Sequence, residues 1–294
     1  MYLVGVDIGG TKISVGLVKN GKVERKIREP VKKDRKEFLK QVIDLIYWCI
    51  KNVDKKKING VGIGVPGPAD YKKGLVMNPP NLRQLWKFNI KNYVKNKTKL
   101  NVKVDKDVDV IAIAEKHFGQ GKKLKNFVVL AIGTGIGGGI VIGGKHYEGI
   151  GNAGEIGASI IDDSKRKLAA YGDGSLEGLA SGSAIMRMAK KTFGKEIYAT
   201  ELAKMARKGN KKARKILEQA GMHLGVGISN VINLYDPELV ILAGGVRESG
   251  DYILNAARKE VNKLVKHKHC DIVWSKLEDP GVVGAAALFL EKEL

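Results

Sequence analysis

Two stretches of this chain follow one plan: an apolar run, a tight glycine turn, a second apolar run and a hairpin signal. The first is Tyr2-Leu-Val-Gly-Val-Asp7-Ile-Gly9-Gly10-Thr11-Lys12-Ile-Ser-Val-Gly-Leu-Val18, followed by Asn20-Gly21. The second is Asn126-Phe-Val-Val-Leu-Ala-Ile-Gly133-Thr134-Gly135-Ile-Gly137-Gly138-Gly139-Ile-Val-Ile, ending in Gly143-Gly144. Apolar runs bounded by such turns read as β-strands, and Asn-Gly is a hairpin signal. A repeat of this kind implies a duplicated α/β architecture, with two halves whose glycine turns can face one another across a cleft. No Pro-rich or Gly/Ser-rich linker separates the halves, so the boundary is taken from the repeat and set near residue 108. That gives a small domain of residues 1–108 plus 280–294 and a large domain of 109–279.

The intervening segments fit this frame. Phe38, Val42, Leu45, Ile46 and Cys49 recur at helical spacing between about Asp34 and Asn52. Ile58–Val65 reads as a buried strand ending in Pro66-Gly67-Pro68, and Leu239–Ala243 as a strand running into Gly244-Gly245-Val246, where paired glycines let a ligand approach the backbone. Gly281 to Leu290 reads as a terminal helix with a small-residue face suited to close packing.

Composition narrows the functional classes. With 294 residues and 44% hydrophobic content the chain can build one large or two moderate cores. Neither a spanning apolar run nor a cleavable leader pattern is seen, so a cytoplasmic location without membrane partners is expected. Cys49 and Cys270 form no paired-thiol motif, and the local cluster His267-Lys-His269-Cys270 reads as an exposed turn or strand. The formal charge of +21 raises the question of a polyanion-binding face. The lysines are spread over most polar segments, often beside Asp or Glu, which favours a solvated, thermophile-like surface over a specific nucleic-acid partner.

Three phosphate-binding patterns compete for the glycines after residue 132. Gly133-Thr-Gly135-Ile-Gly137-Gly138 fits a dinucleotide fingerprint with Glu155 downstream, but that fold needs a helix next, and Ile140-Val-Ile142 reads as a strand. Gly139 to Lys145 nearly makes a P-loop, but His146 stands where a hydroxyl residue is required. The remaining reading is that each glycine turn brings backbone N–H groups to phosphate oxygens, with Asp7 close to the phosphates and a metal ion.

The residues Asp7-Ile-Gly-Gly-Thr-Lys12 and Gly133-Thr-Gly-Ile-Gly-Gly-Gly139 resemble the two phosphate motifs of the ROK sugar kinases. The resemblance continues through Val65-Pro-Gly-Pro68, Asn81-Leu82 with Trp86, Ala153-Gly-Glu-Ile-Gly157, Leu176-Glu177 with Ala180-Ser181, Ala243-Gly-Gly-Val246 and Gly284-Ala-Ala286. It implies an α/β chain with the ribonuclease-H-like, actin-like ATPase fold, two domains around a cleft, and ATP-dependent phosphorylation of a hydroxyl on a sugar or sugar-like polyol with Mg²⁺. By the same resemblance Asp107 is the catalytic base, with Asp105 and Asp109 as competitors if the register shifts. Asn81, Lys106, Asp107, Glu155 and Glu177 are sugar contacts. Asp7, Gly9, Gly10, Thr11, Lys12, Gly133, Thr134, Gly135 and Gly137 hold phosphates, with Asp7 near Mg²⁺, and Gly244 and Gly245 make room for the adenosine. A homodimer or homotetramer is implied as well.

The chain departs from the family pattern at two places. Ala158, Ala169, Tyr171 and Ser175 occupy the positions of a histidine and three cysteines that hold a structural zinc in many members, so no structural zinc is expected, and the loop from Asp162 to Ala170 must be held by packing or ion pairs. Lys106 replaces the asparagine that usually precedes the catalytic aspartate. Together with Ala158 it points away from glucose, toward another hexose, an amino-sugar derivative, a cyclic polyol or an anionic substrate, with a solvent-facing Lys106 as the alternative to a substrate contact. Two other classes are weighed. A DNA-binding repressor would need several tens of residues ahead of Asp7, and a catalytically silent sugar-binding sensor is set against the retained Asp7, Asp107 and glycine turns.

Overall fold

The computed structural model describes residues 1–79, 82–163 and 174–291. Two compact units are present: one of residues 1–123, 146–152 and the segment from Lys276 onward, the other of residues 124–145 and 153–275.

In the first unit β1 (Tyr2–Ile8), β2 (Lys12–Lys19) and β3 (Lys22–Pro30) form a meander whose hairpin turns on Asn20 and Gly21, both at positive φ. Helix α1 (Arg35–Ile50) starts where the Asp34 side chain accepts the Glu37 N–H, and it buries Phe38, Val42, Leu45, Ile46 and Cys49, the residues whose spacing predicts it. The chain continues through β4 (Ile58–Val65), a small sheet of β5 (Ala69–Asp70), β6 (Leu75–Val76) and β7 (Phe88–Asn89), helix α2 (Ile90–Thr98), β8 (Val102–Lys106) and helix α3 (Asp107–Phe118). Helix α3, which starts one residue before the boundary expected from the repeat, belongs to this unit. The main sheet has the order β3-β2-β1-β4-β8, with β2 antiparallel to both neighbours and β1, β4 and β8 parallel. Its central strands are buried almost throughout, whereas the edge strand β3 alternates lysine, arginine and glutamate with half-buried residues, a pattern that resists edge-to-edge association.

The second unit holds β9 (Phe127–Ile132), β10 (Ile136–Ile142), the first residue of β11 (Lys145–His146), helices α4 (Leu176–Ala180), α5 (Gly182–Phe193), α6 (Ala199–Arg207) and α7 (Lys211–Tyr235), β12 (Leu239–Ala243), α8 (Asp251–Leu264) and β13 (Asp271–Trp274). Its sheet order is β11-β10-β9-β12-β13, with β10 antiparallel to β9 and with β9, β12 and β13 parallel. The sheets therefore share one topology: a hairpin at one side, then parallel strands reached by helical crossovers. The repeat seen in the glycine turns extends to the whole of each sheet. The core of this unit forms where Val128, Leu130, Val240 and Leu242 of the sheet meet Leu217, Leu224 and Ile228 of α7 and Leu254 and Val261 of α8.

The last helix, α9 (Pro280–Ala287), packs in the first unit against β1, β4 and α3 at backbone distance. A Cβ on Gly5 would lie 1.9 Å from the Val282 carbonyl oxygen, one on Gly62 1.7 Å from that of Ala285, and one on Gly284 1.6 Å from that of Val110. Only glycine permits that approach, which accounts for the small residues read in the sequence.

Candidate functional site

The site residues of the first unit gather at the carboxyl ends of its parallel strands, the usual place for ligands in open α/β sheets. Asp7 on β1 pairs in register with Gly64 on β4, and Gly64 with Asp105 on β8. Next to Asp7, the Gly9–Lys12 turn closes through a 2.9 Å bond from the Gly9 N–H to the Lys12 carbonyl, leaving Gly10, Thr11 and Lys12 exposed. Asp107 opens α3 directly after β8, and its Oδ1 accepts the Val108 N–H at 2.9 Å.

Burial, followed by the charge of Asp107, pushes the Asp7 carboxyl up to about 7, with Arg28 pulling it down and Asp279 adding to the rise. Arg28 reaches this neighbourhood through register, since Asp7 pairs with Ser14 and Ser14 with Arg28, whose Nε donates to Ser14 Oγ at 2.8 Å. A Cβ on Gly281 would lie 2.5 Å from Asp7 Oδ2, so glycine at the start of α9 keeps room for this carboxylate.

A second charged group flanks Asp107. Lys106 is 3% exposed, and its ammonium lies 3.8 Å from Oδ1 of Asp109, while His146 Nε2 is 3.2 Å from the same oxygen. Burial works against the imidazolium of His146, but Asp109, Asp105 and Glu148 outweigh it and raise the pKa. Asp105 is pushed up to about 7 by burial and then by Asp109. Asp105, Asp109 and Glu148 line a small pocket with Tyr71 and Lys72.

In the second unit the Gly133–Gly135 turn joins β9 to β10 and closes through the Gly133 N–H to the Gly135 carbonyl at 2.9 Å. The first residues of α5 hold it from behind, with Gly182 N–H donating to Gly133 and Ser183 N–H to Thr134. Segment 153–157 crosses the start of β10 so closely that a Cβ on Gly154 would sit 2.0 Å from the Gly138 carbonyl oxygen, and one on Gly157 2.0 Å from that of Ile136. Glu155 precedes the 3₁₀ turn Ile156–Ala158 in that segment. Glu177 is the second residue of α4, and its Oε2 accepts the Ile136 N–H at 2.7 Å. At the end of β12, Gly244 takes φ 93° and lies against the Ile132 backbone, which brings Gly244-Gly245 beside the glycine turn.

The structure thus brings Asp7, the Gly9–Lys12 turn, Lys106 and Asp107 together in one unit, and Gly133, Thr134, Gly135, Gly137, Glu155, Glu177, Gly244 and Gly245 in the other. Asn81, Ala169 and Tyr171 lie outside the described residues, as does most of the loop from Asp162 to Ala170. Ala158 is exposed, and the buried Ser175 caps α4 by accepting the Gly178 N–H at 2.9 Å. Among the described residues no three His, Cys, Asp or Glu side chains form a metal-binding group, and no helix is long and apolar enough to cross a membrane. Sequence reasoning missed Arg28, Asp279, His146 and Glu148. Arg28 alone had a local signal, as the in-register partner of Ser14 in a meander.

A profile of the ROK family matches residues 3–292. The chain is 29% identical over 314 residues to a glucokinase of Thermotoga maritima, covering 99% of this chain and 98% of that protein. It is 28% identical over 317 residues to a xylose repressor of Caldicellulosiruptor bescii, covering 99% of this chain and 79% of the repressor. Among solved structures, a ROK family glucokinase from Streptomyces griseus in complex with glucose and AMPPNP superposes with a TM-score of 0.88 at 27% identity, covering 98% of this chain and 99% of that one. The duplicated sheet topology, the paired glycine turns and a match over nearly the whole sequence establish that this chain has the actin-like ATPase fold and belongs to the ROK family.

Proposed function

We propose that this protein transfers the γ-phosphoryl group of ATP to a hydroxyl of a sugar or sugar-like polyol. The observation that carries this reading is Asp107, held at the first position of α3 at the carboxyl end of the sheet, in electrostatic reach of Asp7 on β1, the second strand over from β8. Asp107 takes the proton of the attacking hydroxyl, which sharpens the nucleophile as the new P–O bond forms. The Gly9–Lys12 and Gly133–Gly137 turns offer backbone N–H groups to phosphate oxygens, and Gly244-Gly245 leaves space for the adenosine. Glu155, Glu177 and Asn81 accept from sugar hydroxyls, a task suited to carboxylates because each oxygen accepts more than once. Asp7, buried and raised by its neighbour Asp107, has the chemistry of a group that gains from a cation, so it fits Mg²⁺ held jointly with the phosphates. When bound, that ion supplies charge neutralisation for the transferring group.

Lys106 is proposed to tune the acceptor subsite. Its burial beside Asp109 supports an action through the charge of that cluster. A preference for sugar acids that survives in wild type and vanishes in Lys106→Ala would mean direct contact, and unchanged kcat/KM in that variant would remove the idea. We propose a cytoplasmic location and, for the assembly, a homodimer or homotetramer, whose mass light scattering of the purified chain decides.

The test is ADP release with Mg-ATP across hexoses, amino sugars, inositols and sugar acids. One acceptor is expected to dominate, and Asp107→Asn to lower its turnover by about 10²- to 10⁴-fold. The similarity to a xylose repressor favours a second reading, a sugar-binding sensor of the same fold. Tight sugar binding with no turnover on any acceptor would select the sensor over the kinase.

A further inference from the structure

We propose that Glu177 holds the Gly133–Gly137 turn in shape with one carboxylate oxygen and offers the other to the acceptor sugar, so that sugar binding strengthens nucleotide binding. This rests on the kinase reading above for its ligands, but its first half concerns the protein alone.

The carboxylate is seated against the turn. Oε2 accepts the Ile136 N–H at 2.7 Å, and a Cβ on Gly135 would lie 2.1 Å from that same oxygen. The side chain is itself anchored: Ser175 Oγ caps α4 at Gly178 N–H, and Leu176, fully buried, packs so closely on α7 that a Cβ on Gly227 would meet its Cδ2 at 2.5 Å. The turn is therefore gripped from two sides, by α5 at the carbonyls of Gly133 and Thr134 and by Glu177 at the amide of Ile136. Oε1 makes no hydrogen bond among the described residues. That oxygen is the acceptor available to a hydroxyl.

The sign of the coupling follows from charge. A carboxylate against a phosphate-binding turn works against an anionic nucleotide. A hydroxyl donated to Oε1 draws part of that charge away, so occupancy of the sugar site tightens the nucleotide, and by linkage the nucleotide tightens the sugar to the same extent.

The experiment compares Glu177→Gln with Glu177→Ala by calorimetry of ADP binding, with and without the best acceptor, and by amide hydrogen exchange at Ile136 without ligands. Both variants lack the charge, but only the glutamine retains an oxygen for the Ile136 N–H. Glu177→Ala is expected to bind ADP about tenfold more weakly than Glu177→Gln and to exchange Ile136 at least about tenfold faster. Sugar is expected to tighten ADP several-fold in wild type and not in either variant, couplings of about 5- to 150-fold being usual. Equal ADP affinity in the two variants with equal exchange at Ile136 would overturn the brace, and sugar coupling that persists in Glu177→Gln would overturn the link. If wild type binds no nucleotide, the kinase reading fails, while the exchange measurement still decides the brace. Should Glu177→Ala not fold, Gly135→Ala displaces the same carboxylate and is expected to give the same fast exchange; slow exchange there sinks the brace.

Discussion

The Lys106 ammonium and Asp109 Oδ1 lie 3.8 Å apart, with side chains only 4% and 7% exposed, one residue before and two residues after Asp107. A buried ion pair of this kind gives little net stability over an apolar replacement, but losing one member strands the other. Lys106→Met alone is expected to cost about 3 kcal/mol in urea unfolding, with Lys106→Met/Asp109→Leu recovering most of it. A single variant as stable as wild type would show that His146 alone, 3.2 Å from Asp109, balances that charge.

Burial holds the protons of Asp7 and Asp105 up to about 7 in the folded protein, against the ordinary aspartate value of 3.8. Between those limits the native state binds more protons than the unfolded chain, so their contribution to stability is full below pH 4 and is lost as pH rises through 7. Asp7→Asn removes that loss. Thermal melts are expected to show the variant more stable than wild type at pH 8 and nearly equal to it at pH 4, with turnover abolished. A variant less stable at pH 8 would mean that Arg28 already balances the buried charge.

Helix α9 touches the sheet and α3 at backbone distance through Gly62 and Gly284. A methyl group has no space there, and overpacking in a closed core typically costs about 1–3 kcal/mol and occasionally more. Gly62→Ala and Gly284→Ala are each expected to lower stability by at least about 2 kcal/mol in chemical denaturation. Gly143→Ala makes a useful contrast, because no atom lies within 4 Å of its added Cβ and the penalty there comes from its φ of 59°.

Glu155 stands in a segment locked to β10 by Gly154 and Gly157, so its carboxylate is carried by a rigid support. If it accepts from the sugar, Glu155→Gln raises KM for the acceptor about tenfold or more, as losing a charged hydrogen bond does, while KM for ATP stays within about twofold. Steady-state kinetics on both substrates checks this. A change confined to ATP would move Glu155 to the nucleotide side.

Most of the secondary structure was legible in the residues because its causes are local. Alternating and continuous apolar runs identify β1, β2, β9 and β10, Asn20-Gly21 marks the first hairpin, and Phe38 to Cys49 mark the buried face of α1. The two glycine turns reveal the duplication, since a tight glycine turn between two apolar runs has a short and recognisable sequence. The candidate site was legible only as far as its motifs. His146 is 37 positions from Asp109 in sequence, and nothing in either segment announces the other. Lys106 read either as a charge for an anionic substrate or as a solvent-facing side chain, and its burial overturns the second reading; pairing with Asp109 depends on where β8 ends and α3 begins.

The amino-acid sequence by itself determined the main strands, the glycine turns, the family and the residue types offered to the candidate site, which are written in short local motifs. Tertiary structure alone decided the ionisation of Asp7, the burial of Lys106, the contact of Glu177 with Ile136 and the passage of α9 over Gly5 and Gly62. Burial and electrostatic energy are sums over groups that meet only after folding, and Asp7, Arg28, Asp107 and Asp279 are brought into one sum because the C-terminal helix α9 packs on the sheet built from the first 106 residues.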